Sequence, residues 1–184
     1  MELGEQKTRY ASYRHWLFHN DVCFDLQGLE LLIPHLPIDV VDFCAISSRV
    51  SLDWLEQHIE LPWDFGIVSI RSDLTDKFVL KNLKWDWDWD AISRNESISW
   101  LMVKQHRELP WNFDILSSRS HLDFELIRTN MDCGWTFSAM SDKIPIAWVL
   151  DHIDLGWDWQ TVQMNPEFCP KVYEKLVQIK LCSL

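Results

Sequence analysis

The chain has 184 residues, 47% of them hydrophobic and 24% charged, so it can build a continuous core and is neither a disordered nor a fibrous sequence. Its 28 acids against 17 Lys and Arg give a net charge of −11, which argues against general nucleic-acid binding, because phosphates are held by clustered cations. No run approaches the ~20 apolar residues that span a bilayer, and the five cysteines show neither a CxxC pair nor zinc-spaced histidines, so reduced thiols are expected rather than disulfides or a metal.

The opening segment MELGEQKTRYASYR lacks the apolar core of a signal peptide, so a cytoplasmic location is the expectation. Helices are predicted from Thr8 to His19 and from Asp25 to Ile33, the second ended by Pro34. Together they make residues 1–39 an N-terminal helical cap.

From Val40 onward the sequence repeats. Ser69, Ser93, Ser117 and Ser141 stand 24 residues apart, and their surroundings recur with them. The copies begin VVDFCAIS at Val40, a degenerate one, then LPWDFGIVS at Leu61, LKWDWDWDAIS at Leu83, LPWNFDILS at Leu109, CGWTFSAMS at Cys133 and LGWDWQTVQ at Leu155. A column of Asp42, Asp64, Asp88, Asn112, Thr136 and Asp158 offers side-chain oxygens to the free N–H groups of a first helical turn and is assigned to the N-cap. The residue before each cap is Val41, Trp63, Trp87, Trp111, Trp135 or Trp157. It forms a hydrophobic staple with Ile46, Val68, Ile92, Leu116, Met140 or Val162. An aromatic follows every cap: Phe43, Phe65, Trp89, Phe113, Phe137 and Trp159.

The second half of each copy repeats this grammar. Ser51, Thr75, Ser99 and Asp123 are caps, and Pro145, which can open a helix, replaces the fifth. Staples pair Val50 with Leu55, Leu74 with Val79, Ile98 with Val103, Leu122 with Ile127 and Ile144 with Val149. His58, Asn82, His106, Asn130 and His152 then stand where the second helix must stop, a place suited to a left-handed residue. Helices this short fall far below the ~12–15 residues at which an isolated helix is marginal, so stacking has to stabilise them. That need accounts for a tryptophan count of 12, since buried aromatics supply the core.

After the repeats, Pro166 and Pro170 bracket a turn, and Lys171 to Lys180 reads as an amphipathic closing helix, making residues 166–184 the C-terminal cap. The expected fold is thus all-α: a single continuous α-solenoid of tandem two-helix repeats over residues 40–165, about 24 residues each, with helical N- and C-terminal caps. The phrases WDWDAISRNESISW, LPWDF and LPWNF resemble the WDW-type tandem helical repeats of bacterial and giant-virus proteins, whose units run roughly WDWxxLSxNxxITWxxVxxN. The likeness extends from about Val40 to Asn165, with Thr136, Pro145 and the weak first copy as departures. It implies a fold and no activity.

Chemical readings of the same residues fare poorly. Trp85-Asp86-Trp87-Asp88-Trp89-Asp90 alternates carboxylates like the start of a calcium loop, but Ala91 and Ser97 stand where glycine and a bidentate Glu are needed. Ser93, His106 and Asp88 could be assembled into a triad on paper, yet these residue types recur at fixed register as caps and turns, and no nucleophile elbow or phosphate loop is present. Neither an enzyme nor a cofactor is therefore expected.

Charge placement carries the functional signal. The turn between the two helices of each copy has a cation, Arg49, Arg71, Arg94, Arg119 or Lys143. The turn after the second helix has an acid, Glu60, Glu108, Asp132 or Asp154, with Lys84 the exception. Stacked copies would align them into two surface ridges of opposite sign. The cations offset the C-terminal dipole of the first helix, whereas the acids lie where the dipole disfavours them and so point to binding. The sequence is read as a non-enzymatic protein-binding scaffold or adaptor whose two ridges contact another protein, a basic one on the acidic side. The alternative is an acidic nucleic-acid-mimicking inhibitor that blocks the basic cleft of a nuclease or other nucleic-acid-binding enzyme. Direct nucleic-acid binding and membrane association are disfavoured.

Overall fold

The structure, a computed structural model, describes residues 33–168 together with Gly28, Glu30, Leu31, Glu174 and Val177. Each first-half helix starts one residue after its assigned cap: α1 (Phe43–Ser47), α3 (Phe65–Ser69), α5 (Trp89–Arg94), α7 (Phe113–Ser117) and α10 (Trp159–Gln163). The second-half helices do the same: α2 (Leu52–Gln57), α4 (Asp76–Lys81), α6 (Trp100–Gln105), α8 (Phe124–Thr129) and α9 (Ile146–Asp151). Each of these α-helices is five or six residues long, and among the described residues there is no strand. The fold is therefore the all-α tandem repeat expected from the caps.

The caps work as side-chain acceptors. Asp42, Asp64 and Asn112 each accept the N–H three residues on at 3.1 Å. Ser51 and Ser99 do so at 3.2 Å, Thr75 at 3.3 Å and Asp123 at 2.9 Å. Asp158 serves both Gln160 and Thr161. Two copies differ. Thr136 makes no cap bond, and its segment closes as a short 3-10 helix, Phe137–Met140, rather than an α-helix. Pro145 has no side chain to offer, and the Glu167 carboxylate accepts the Ile146 N–H instead, at 3.2 Å.

Two compact units make up the chain, Met1–Asp88 and Trp89–Leu184. In the first, α1 packs on α3; in the second, α5 packs on α7 and α7 on the 3-10 helix. The same three devices join successive copies inside each unit. The recurring serine is fully buried, as at Ser47, Ser69, Ser93, Ser117 and Ser141. Its Oγ accepts the N–H of the next copy's cap residue: Asp64, Asn112, Thr136 and Asp158 at 2.9 Å, Asp88 at 3.1 Å. That N–H would otherwise be an orphan donor in the core. The aromatic after each cap meets the next copy's staple tryptophan edge-on, with centroids 5.6 Å apart for Phe43 and Trp63, 5.3 Å for Trp89 and Trp111, and 4.9 Å for Phe113 and Trp135. Finally, the staple indole donates its N–H to the carbonyl of the helix-stopping residue, Trp63 to His58 at 2.8 Å, Trp111 to His106 at 2.7 Å and Trp157 to His152 at 2.8 Å.

The stop itself corrects the sequence reading. His58, Asn82, His106, Asn130 and His152 all have negative φ, between −117° and −140°, so no left-handed residue ends these helices. Except at His106, whose ring turns to Glu108, the side chain folds back on the last turn instead. Asn130 Nδ2 donates to the Leu126 carbonyl at 2.7 Å, Asn82 Nδ2 to Phe78 at 3.1 Å, and His58 Nδ1 bonds the Trp54 carbonyl at 2.9 Å. Asn and His share a ring or amide nitrogen at the right reach, which explains why they alternate in this column.

At the N-terminal end Gly28, Glu30 and Leu31 are helical, and two 3-10 helices follow, Ile33–His35 and Ile38–Val40. The Glu30 carboxylate accepts the Ser51 N–H at 2.9 Å and its Oγ–H at 2.6 Å. Glu174 and Val177 are helical within the predicted closing helix. The predicted helix from Thr8 to His19 and the rest of both caps lie outside the described residues.

Candidate interaction surface

The predicted cationic ridge is interior at Arg71 and Arg119. Arg119 is only 5% exposed, and its guanidinium donates to four carbonyls of the preceding copy: Ser93, Ile92, Asn95 and Ile98, at 2.8 to 3.3 Å. Its Cζ also stands 5.1 Å from the Trp100 ring centroid. Arg71 repeats the arrangement with its side chain 8% exposed, donating from Nη1 to the Ser47 and Val50 carbonyls and pairing through Nε and Nη2 with Asp73. Lys143 Nζ reaches the Ser118 carbonyl at 3.1 Å. These cations donate to carbonyls at the end of the previous copy's first helix and in the turn that follows it. Arg71 and Arg119 are therefore not part of a surface strip.

Arg49 and Arg94 are exposed. Arg94 is also out of register, because the residue 24 beyond Arg71 and 24 before Arg119 is Asn95. It closes α5 and shares a column with the exposed Ile70 and Ser118. Counted from the cap, Arg49, Arg71, Arg119 and Lys143 stand seven residues on and Arg94 six, and this count separates Arg94 from the others.

The acids are outside. Glu60, Glu108, Asp132 and Asp154 are all exposed in the turns after the second helices, Glu60 in the first unit and the other three at matching places in consecutive copies of the second. Among the described residues none pairs with Lys or Arg. Glu108 lies 3.2 Å from His106 Nδ1, and its own backbone N–H and that imidazole hold its carboxyl below the usual range. Asp132 has a contact with the Cys133 thiol at 4.0 Å. Exposed apolar side chains lie beside the row in the first unit, Ile59 at 40% and Leu83 at 42%.

A feature the sequence did not signal is a groove of about 620 Å³ on the other turn side of the first unit, between copies 1 and 2, beside Arg49, Leu52, Ile70 and Asp73. No helix among the described residues is long and apolar enough to cross a membrane. Compared with known proteins, the chain matches no family model, no curated protein and no solved structure.

Proposed function

We propose that the protein is a non-enzymatic binding scaffold of the cytoplasm, of the WDW-type repeat class by resemblance, that presents the acidic turns of its copies to a basic partner protein. One observation carries this reading. The cations that would offset the acids are turned inward onto backbone carbonyls at Arg71 and Arg119, while Glu60, Glu108, Asp132 and Asp154 stay exposed without a Lys or Arg partner among the described residues. Charges held against the helix dipole, with no Lys or Arg among the described residues to offset them, fit a role in recognition.

Capture of partners from the native host, identified by mass spectrometry, tests the reading when followed by affinity measurement against salt. The expected partner has a basic face, and its affinity falls steeply as ionic strength rises. Capture of a nucleic-acid-binding enzyme would specialise the scaffold to an inhibitor of that enzyme. A partner whose affinity is indifferent to salt would overturn the reading.

A further inference from the structure

The groove in the first unit is open where the matching place in the second is filled by the chain's own tryptophan. In copies 3 and 4 the indole of Trp100 lies across the following copy's turn: Nε1 donates to the His121 carbonyl at 2.8 Å, and Arg119 covers the ring. Counting from the caps, Leu52 replaces Trp100, Asp73 replaces His121 and Arg71 replaces Arg119. Leucine is smaller and has no N–H. The turn is shorter as well, since nine positions separate the caps Asp42 and Ser51 but eleven separate Asp88 and Ser99. A smaller side chain and a shorter turn leave the groove of about 620 Å³.

What remains is the frame of an indole site. Asp73 occupies the place of the carbonyl that receives the Trp100 N–H, and that carbonyl accepts no hydrogen bond among the described residues. Ile70, 61% exposed, and half-buried Leu52 and Ile67 supply apolar wall. The charges at the groove cancel, Arg49 and Arg71 against Asp53 and Asp73, which disfavours a phosphate or nucleic acid and suits a neutral group. Every described tryptophan of the chain is buried or half-buried, so a second copy has none of these to offer.

We propose that this groove receives a tryptophan side chain from a partner protein, with the indole N–H on the Asp73 carbonyl and the ring against Leu52 and Ile70. It uses the opposite turn from the acidic row and does not depend on it.

The test titrates the ¹⁵N-labelled full chain with the capped peptide Gly-Gly-Trp-Gly-Gly and with its Leu counterpart, following backbone amide shifts. The tryptophan peptide is expected to move the amides around Ser51–Asp53 and Ile70–Leu74, and to bind about tenfold tighter than the leucine peptide, the worth of one added hydrogen bond. Leu52→Trp should fill the groove from within, as Trp100 does in copy 3, and abolish binding with a cooperative melt retained. Ile70→Asn, at an exposed position, should weaken binding several-fold if Leu52→Trp does not fold. Reversing Glu108, Asp132 and Asp154 to Lys should leave peptide binding unchanged, so this proposal and the acidic-row reading fail separately. Equal affinity for both peptides, shifts elsewhere or none, or binding undiminished in the variants would overturn it.

Discussion

Two cap residues that depart from Asp, Asn112 and Thr136, do so for a local reason. Each follows a copy that has an acid one residue into its first helix beyond the aromatic. Asn112 Nδ2 donates to Asp90 Oδ1 at 2.8 Å, and the Thr136 hydroxyl donates to Asp114 Oδ1. Where the cap is Asp64, the facing residue is instead Cys44, whose thiol donates to the carboxylate and is pushed up in pKa by it. A second carboxylate at 112 or 136 would meet a like charge in place of a donor. Thr136→Asp, although it restores the commoner residue, is therefore expected to cost roughly 1 kcal/mol in denaturant unfolding, with the loss relieved by high salt or by Asp114→Ser.

The staple tryptophans and the arginines obey the same accounting of polar groups. Trp111→Phe keeps most of the ring but leaves the His106 carbonyl without its 2.7 Å donor, and should cost about 1–3 kcal/mol. Arg119→Met removes a donor from four carbonyls, of which only those of Ile92 and Asn95 keep a backbone N–H, and should cost roughly 2–4 kcal/mol, whereas Arg94→Met at an exposed position should stay within about 0.5 kcal/mol. Equal losses at Arg94 and Arg119 would contradict the assignment of Arg119 to the interior.

Among the elements, helices of five or six residues have no independent stability, so their persistence rests on what passes between copies. The buried serine is the clearest such link. Ser117 Oγ donates to the Phe113 carbonyl at 2.7 Å and accepts the Thr136 N–H at 2.9 Å, tying α7 to the next copy's first turn. Ser117→Ala should lower stability by about 1–3 kcal/mol by leaving that N–H unpaired. Caps and staples made the helices legible in the sequence, because both act within a few residues of the helix they start. The serine was visible as a fixed step of 24, but its role was not, since its partner lies 19 residues ahead and only stacking brings them together. For the same reason the sequence does not show Arg71 and Arg119 as interior: their carbonyl partners lie 21 to 27 residues back.

For the molecule as a whole, several carboxylates are held below their ordinary values by a specific partner: Asp73 by Arg71, Glu96 by Ser120, Glu56 by Lys81, Glu125 by Arg128 and Asp158 by Thr161. A folded pKa below the unfolded one stabilises the fold above the ordinary value and is lost as pH falls through the folded one. Melting temperature should thus hold steady from neutral pH and decline once pH drops below the ordinary Glu and Asp values of 4.5 and 3.8. A melting temperature that rises on acidification would contradict these assignments.

The acidic row was legible from charge and register alone. The groove was not, since it arises from what is missing: two turn residues that copies 2 to 4 possess and the indole that copy 3 supplies. The central claim is that exposed acids, rather than the inward-turned cations, face the partner. It is tested most directly by the affinity of the captured partner for Glu108→Lys/Asp132→Lys/Asp154→Lys against the unaltered chain, with melting temperature recorded in parallel. The account predicts an unchanged melting temperature and an affinity at least about tenfold weaker, near the 1.4 kcal/mol that tenfold represents; an unchanged affinity in the folded variant would contradict it.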